Sequence, residues 1–379
     1  MAQSIEDGSR GCILGGAVGD ALGGPTEGRT PAAIQERYGG WVTDFVGPFH
    51  LDWQTARPIS PLHKGDGHIT DDTLMVMALA SVYADVRDHL TAFEMASHLT
   101  VKIADEVTYI PEFERETVLV NRLFYAEKYL LLRLRFANAD PREAGVGNVV
   151  NCGAAMYMAP VGIVNAGNPR GAYAEAIELA GAHQSSYGRE AAGVLAAAIA
   201  EALSPDASVE SIIKTCLDLA RDGTRAAILA VTQAARDISN WQAAIPILRQ
   251  AVLPFDSVGE HYRDPHPDAR RPSRTKAIEE LPVALGMLVM AKGEYLPTVL
   301  GGVNYGRDSD SIASMGGAIS GALHGASAVP ADWASFIQER SRKDLERTAR
   351  DLAAVAKEVF LRDQERFAAR VAAFPQGKP

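Results

Sequence analysis

Gly301-Gly-Val-Asn-Tyr-Gly-Arg-Asp-Ser-Asp-Ser-Ile-Ala-Ser-Met-Gly-Gly-Ala318 decides how the rest of the chain reads, because Asp308, Asp310 and Ser311 set three oxygen ligands within four residues. Carboxylate at that density suits a hard cation. Ile312, Ala313, Met315, Ala318 and Ile319 follow at once, so the acidic residues fall on the first turn of a buried helix, where the helix dipole favours negative charge. A second stretch of the same make-up lies far upstream, where Thr70, Asp71, Asp72 and Thr73 precede the apolar run Leu74-Met-Val-Met-Ala-Leu-Ala80. Four carboxylates gathered in one core repel strongly unless some take up protons or a divalent ion sits between them. Two hard ions bridged by oxygen ligands fit the pair of boxes. Helix capping explains one acidic box at a time; it does not explain two matched ones.

A site assembled from positions 70 and 308 argues for one continuous core. The expectation is therefore a single domain over residues 1–379, with 333–379 as a C-terminal helical extension. The chain is 47% hydrophobic and 22% charged, which excludes the disordered and fibrous classes. Cys12, Cys152 and Cys216 are odd in number and far apart, with no Cys-x-x-Cys. Neither a disulfide framework nor a zinc site is indicated, and a reducing cytoplasm is the expected compartment. The N-terminus lacks a basic region, and the apolar run from Gly11 to Gly24 is short and broken by Asp20, so no signal peptide or membrane span is expected. A net charge of −10 offers no general attraction to phosphate backbones, which removes nucleic acid as a partner.

The periodicity predicts an all-α protein, a compact bundle of many helices. Residues 9–23 read as a helix of unusually small residues, and small residues let helices approach closely, so this one belongs at the centre. Its glycines lack the preceding strand and the spacing of a dinucleotide fingerprint. Further helices are predicted over 71–87, 91–105, 112–137, 171–181, 187–203, 208–221, 224–237, 241–251, 275–291, 308–324 and 333–372. The last alternates Arg/Lys with Glu/Asp and reads as an exposed cover helix. Residues 38–67 are aromatic and Pro/Gly-rich without helical period; they form either a lid beside the site or a surface excursion with its aromatics tucked inward. Arg263, Arg270, Arg271 and Arg274 mark a basic loop with two readings, a phosphate contact or a solvated charged turn.

Three boxes in order give the chain a resemblance to the ADP-ribosylglycohydrolase family, all-α dinuclear-metal hydrolases that remove ADP-ribose from proteins. Gly-Asp-Ala-Leu-Gly-Gly-Pro-Thr-Glu (19–27) resembles its N-terminal Gly-Asp-x-x-Gly…Glu segment, His68-Ile-Thr-Asp-Asp-Thr its Thr-Asp-Asp-Thr box, and Asp308-Ser-Asp-Ser-Ile-Ala its Asp-x-Asp-Thr/Ser-Ile-Ala box. The resemblance implies Thr70, Asp71, Asp72, Asp308, Asp310 and Ser311 as ligands to two Mg²⁺ or Mn²⁺ ions, in agreement with all-oxygen ligands and no His or Cys near the clusters. It implies Glu27 and Asp310 as catalytic groups. It also implies a substrate cleft lined by Asn151, Gly153, Tyr157, His183, Ser186 and Asn304. The central segment departs from the family: Cys152 and Tyr157 in Cys152-Gly-Ala-Ala-Met-Tyr-Met-Ala-Pro160 stand where asparagine and arginine are usual.

The reaction implied is hydrolysis of a glycosidic bond at ribose C1′, with Glu27 as general base. The substrate is an ADP-ribosylated protein or small ADP-ribose conjugate. A second class, an N-ribosyl hydrolase for a smaller nucleoside or base–ribose conjugate, is favoured by the missing arginine. A third, a non-catalytic descendant like the crystallins related to this family, is disfavoured because clustered carboxylates without metal cost stability. Leaving group and oligomeric state are left open.

Overall fold

The computed structural model describes residues 4–55, 63–255 and 276–374. Ser4 accepts a hydrogen bond from Asp7 N at 3.1 Å and starts α1 (Ile5–Gly23), which is followed by α2 (Pro31–Tyr38) and α3 (Asp71–Val86). Next come α4 (Ala92–Glu94) and α5 (Thr100–Ala104), joined by a π turn, the antiparallel hairpin β1 (Val107–Ile110) and β2 (Arg115–Val118), and α6 (Tyr125–Leu131). The middle of the chain holds α7 (Ala159–Val164), α8 (Pro169–Ala180), α9 (Ser186–Ala202), α10 (Val209–Leu219), α11 (Asp222–Ala235) and α12 (Trp241–Val252). The last third holds α13 (Lys276–Met290), α14 (Tyr295–Tyr305), α15 (Ser309–His324), α16 (Ala331–Ser341) and α17 (Leu345–Ala373). Among the described residues, the hairpin is the only sheet, so the fold is all-α.

Gly11, Gly15, Gly19 and Gly23 recur every four residues and form one ridge of α1. That ridge lies against α15: a Cβ on Gly15 would come 2.5 Å from Gly317 O, and one on Gly23 would come 2.5 Å from Asp310 Cα. Gly11 faces Gly321 and Gly19 faces Ala313, so the order on α15 is reversed and the helices are antiparallel. The C-terminus of α1 therefore meets the acidic N-terminus of α15. Asp20, fully buried on α1, accepts hydrogen bonds from Thr70 N at 3.0 Å, Thr70 Oγ1 at 2.6 Å and Thr73 Oγ1. It thereby fixes the start of α3 to the same point.

The structure departs from the sequence reading in places. Residues 112–137 are not one helix, because Glu114 takes a left-handed conformation and β-branched residues on either side pair as the hairpin, leaving helix only from Tyr125. The predicted 333–372 helix breaks at Arg342 (φ 50°), after which Asp344 caps α17 by accepting from Arg347 N at 2.8 Å. Helix α14 lies in the stretch between 291 and 308, where none is predicted. In the aromatic stretch, Trp41 packs edge-on to Trp241 and Phe45 against Trp333 and Phe336, which is the tucked-in reading for that part. The basic loop with Arg263, Arg270, Arg271 and Arg274 lies outside the described residues. No described helix is long and apolar enough to cross a membrane.

Gly15→Val forces a branched side chain onto the backbone carbonyl of Gly317, which has no rotamer to escape through. It is expected to destabilise the protein by about 1–3 kcal/mol, seen as a lower thermal midpoint, while Glu36→Ala on exposed α2 leaves the midpoint in place. An unchanged midpoint for Gly15→Val contradicts the close α1–α15 contact.

Candidate active site and metal centre

Helix ends build the site. Thr70 caps α3, its Oγ1 accepting from Asp72 N at 3.3 Å, so Asp71 and Asp72 occupy the first turn. Asp308 and Asp310 flank the start of α15, and Ser311 Oγ donates to Asp72 Oδ2 at 2.9 Å, joining the two boxes directly. Glu27 follows the Gly24–Thr26 turn that ends α1. That turn is held to α14 and α15 because Thr26 Oγ1 lies 2.8 Å from Val303 O and 2.9 Å from Ser309 Oγ. Glu27 Oε2 stands 2.6 Å from His63 Nε2, which is in turn 3.4 Å from Asp310 Oδ2.

Behind these groups lies a second layer of charge. Arg122, wholly buried, contacts Asp71 Oδ1 at 3.1 Å and pairs with Glu112, while His63 Nδ1 is 3.2 Å from Glu112 Oε1. Burial alone would raise Glu112, but Arg122 and His63 hold its carboxyl down to about 2. Burial works against a charged His63, yet Glu112 and Asp310 lift its imidazole to about 9. In the front layer burial and like charge outweigh the nearby cations. Burial raises Asp72 well above the carboxylate range, and the charges of Asp310, Asp20, Asp71 and Asp308 raise it further. Asp71 rises to about 6, mainly through burial against the pull of Arg122. Burial and the neighbouring carboxylates lift Asp310 to about 8 despite His63.

One oxygen of this set, Asp310 Oδ1, is buried without a hydrogen-bond partner. An orphan acceptor among mutually repelling carboxylates is what a divalent cation would satisfy, so the residues present fit a metal. Among the described residues, two groups of side chains converge closely enough to hold an ion: Glu27, His63 and Asp310, and Cys152, Glu280 and Asp308. The sequence reading of all-oxygen boxes with no His or Cys nearby is therefore corrected in space, since His63 and Cys152 both reach the carboxylates. Cys152 Sγ lies 3.3 Å from Asp308 Oδ2 and 3.5 Å from Ser311 Oγ. Its thiol is pushed well up, by burial first and then by Asp308, Glu280 and Asp72.

The remaining substrate candidates divide. Asn151 Oδ1 accepts from Gly153 N at 3.1 Å and Gln184 Nε2 at 2.8 Å, starting the 3₁₀ turn Cys152–Tyr157. A Cβ on Gly153 would sit 2.7 Å from Glu127 Oε1, so that side-chain end would have to shift. Tyr157 and His183 are fully buried and stacked, with Tyr157 Oη 3.1 Å from His183 Nδ1 and His183 Nε2 3.3 Å from Glu127 Oε1. Ser186 is exposed at the first turn of α9. Asn304 is fully buried and uses its amide to hold Val42, accepting from its N at 2.8 Å and donating to its O at 2.7 Å.

Sequence reasoning missed Asp20 as an organiser, and it missed His63, Glu112, Arg122, Glu127 and Glu280. Glu280 had a readable signal, because adjacent carboxylates at 279 and 280 interrupt the apolar run Ile278-Glu-Glu-Leu-Pro-Val-Ala-Leu285, and such charges seldom sit in a core unpartnered. The others are isolated residues whose partners arrive only through the fold.

The sequence matches the ADP-ribosylglycohydrolase family over residues 1–361, and the chain belongs to that family. Uncharacterized protein YegU of Escherichia coli (strain K12) is 25% identical over 346 residues, covering 90% of this chain and 95% of that protein. An uncharacterized protein of Archaeoglobus fulgidus is 27% identical over 346 residues, covering 89% and 93%. A solved structure titled ADP-ribosylglycohydrolase-related protein complex shares the fold, with a TM-score of 0.62 at 20% identity over 93% of this chain and 99% of that one.

Asp310 and Asp71, raised above the ordinary value of 3.8, and His63, raised above 6.5, all bind protons more tightly folded than unfolded. Stability of the metal-free protein is therefore greatest at the acid side of this window and falls as pH rises from about 4 to about 9. Glu112 has the opposite sign; its contribution is lost only as pH falls from its ordinary 4.5 toward about 2. Thermal midpoints of chelator-treated protein are expected to fall across that upper window, and saturating Mn²⁺ to flatten the slope by replacing the protons. A level profile without metal contradicts the uncompensated carboxylate cluster.

Proposed function

We propose that this protein is a metal-dependent hydrolase that cleaves a glycosidic bond at ribose C1′, removing ADP-ribose from a modified protein or a small ADP-ribose conjugate. Family membership implies the hydrolase; the leaving group and the ADP-ribose end are the proposal. The observation that carries it is the joining of both acidic boxes through Ser311 and Asp72 around the orphan oxygen of Asp310. Thr70, Asp71, Asp72, Asp308, Asp310 and Ser311 would hold the cations, taken as two Mg²⁺ or Mn²⁺. Bound there, the ions supply positive charge and oriented coordination for oxygen groups.

Glu27 is the base. Its carboxylate is fixed by His63 at 2.6 Å, and His63 is itself anchored by Glu112, so the acceptor oxygen is aimed before substrate arrives. Water attacks C1′, the bond to the leaving group breaks through an oxocarbenium-like state, Glu27 takes the proton of the water, and the leaving group picks up a proton as it departs. Asn151 and Gly153 would border the substrate, with the buried, stacked Tyr157–His183 pair behind them. A second reading, a smaller ribosyl conjugate without a diphosphate, is favoured by one observation. Tyr157 is closed into the core on His183 at the position where the family resemblance leads to arginine.

The test is product release from ADP-ribosylated arginine and serine peptides, O-acetyl-ADP-ribose and a panel of ribonucleosides, each with Mg²⁺ or Mn²⁺. ADP-ribose is the expected product, Asp310→Asn is expected to be inactive, and Glu27→Gln to turn over about 10²- to 10⁴-fold more slowly. Release of ribose from nucleosides alone selects the second reading. Full turnover by Glu27→Gln moves the base to one of the aspartates.

A further inference from the structure

Besides His63, Cys152 brings a donor other than oxygen to this centre. It occupies the position where the family resemblance leads to asparagine, and the turn capped by Asn151 carries it from the edge of the apolar core to contact Asp308 and Ser311 of one acidic box. Its Sγ is 3.3 Å from Asp308 Oδ2, and Sγ, an oxygen of Asp308 and an oxygen of Glu280 all lie within 4.8 Å of one another. Metal–sulfur bonds of about 2.3 Å and metal–oxygen bonds of about 2.0–2.2 Å let one ion bridge such a span. Glu280 is fully buried and reaches the centre from α13, outside both acidic boxes. Two residues that neither box supplies thus converge on the box carboxylate Asp308. Cys12 shows the contrast: equally buried, it borders a small void among Ile13, Ala17, Val76 and Met156.

A buried cysteine is ordinarily a small inert hydrophobe. Here it contacts Asp308 and Ser311, and in the same acidic box Asp310 Oδ1 is a buried acceptor without a hydrogen bond, which calls for a cation. We propose that Cys152 is a ligand of the metal centre, with Asp308 and Glu280, and that this mixed sulfur–oxygen set selects a thiophilic divalent transition ion over Mg²⁺. The thiol proton leaves to solvent as the sulfur–metal bond forms, with no change of oxidation state. Thiolate favours ions of the cobalt and zinc type, whereas Mg²⁺ requires hard oxygen donors. The inference rests on the reading that the acidic boxes bind divalent metal, and it changes which ion they take.

Chelator-treated full-length protein is titrated with Co²⁺ and its absorption spectrum recorded. Wild type is expected to show both the visible d–d bands of bound Co²⁺ and a near-ultraviolet thiolate-to-cobalt charge-transfer band. Cys152→Ser is expected to lose the charge-transfer band, to keep the d–d bands, and to bind Co²⁺ about 10- to 100-fold more weakly, the scale that metal-site substitutions commonly reach. Visible bands without charge transfer in wild type overturn the sulfur ligand while leaving the metal centre standing. Persistence of the charge-transfer band in Cys152→Ser overturns it too, by assigning the sulfur elsewhere. No cobalt spectrum at all overturns the metal reading and this inference with it. The wild-type spectrum decides the question even if the variant does not fold.

Discussion

The contact on which the site depends contains almost no side chains. Where Gly11, Gly15 and Gly19 of α1 meet Gly321, Gly317 and Ala313 of α15, two helix backbones touch, and any larger residue would push them apart by the width of a methyl group or more. The same ridge ends at Gly23, whose missing side chain lets the first turn of α15 close down on the last turn of α1. Asp20 and Glu27 belong to one helix end, and Asp308 and Asp310 to the other. A seam opened by an ångström would separate groups whose chemistry needs contact distances. The glycines thus act on function through geometry alone, far from any reacting atom.

Bringing those ends together creates an electrostatic problem that the structure meets in two ways. In the rear layer Glu112 is matched by Arg122 and His63, and burial strengthens the match because little water competes for the charges. In the front layer burial and the neighbouring carboxylates outweigh the cations, so Asp72 and, despite His63, Asp310 are raised and favour protons without metal. The contrast separates structural from functional charge within a few ångströms. Arg122 bridges the layers through Asp71, so the rigid rear network orients one carboxylate of the reactive front.

Local density made the acidic boxes legible, since two carboxylates beside a hydroxyl at the head of an apolar helix are visible without any tertiary knowledge. The small-residue helix was equally plain. His63, Glu112 and Arg122 were not, because each is a single residue in an unremarkable context, and only the hairpin brings 112 and 122 against 63 and 71. The same hairpin defeated the helical reading of 112–137: Glu114 in a left-handed turn and a buried ion cluster outweighed a helix-favouring composition. Asn304 illustrates the converse error. Its place in a glycine-rich stretch next to an acidic box looks functional, yet its amide bonds Val42 and anchors the aromatic loop.

The two departures from the family pattern share one short turn, and its geometry separates their effects. Cys152 and Tyr157 are five residues apart on a 3₁₀ helix, so they are rotated by about two-thirds of a turn and face different surroundings. Cys152 meets Asp308 and Ser311, whereas Tyr157 meets His183 and, through it, Glu127. Gly153 between them packs against the side-chain ends of Glu127 and Asn151. Each departure therefore acts on its own side of the turn. One replaces a neutral amide by sulfur at the carboxylates; the other replaces a cation by an uncharged ring against a buried imidazole. The two residues therefore bear on different groups, Cys152 on the acidic box and Tyr157 on the His183–Glu127 pair.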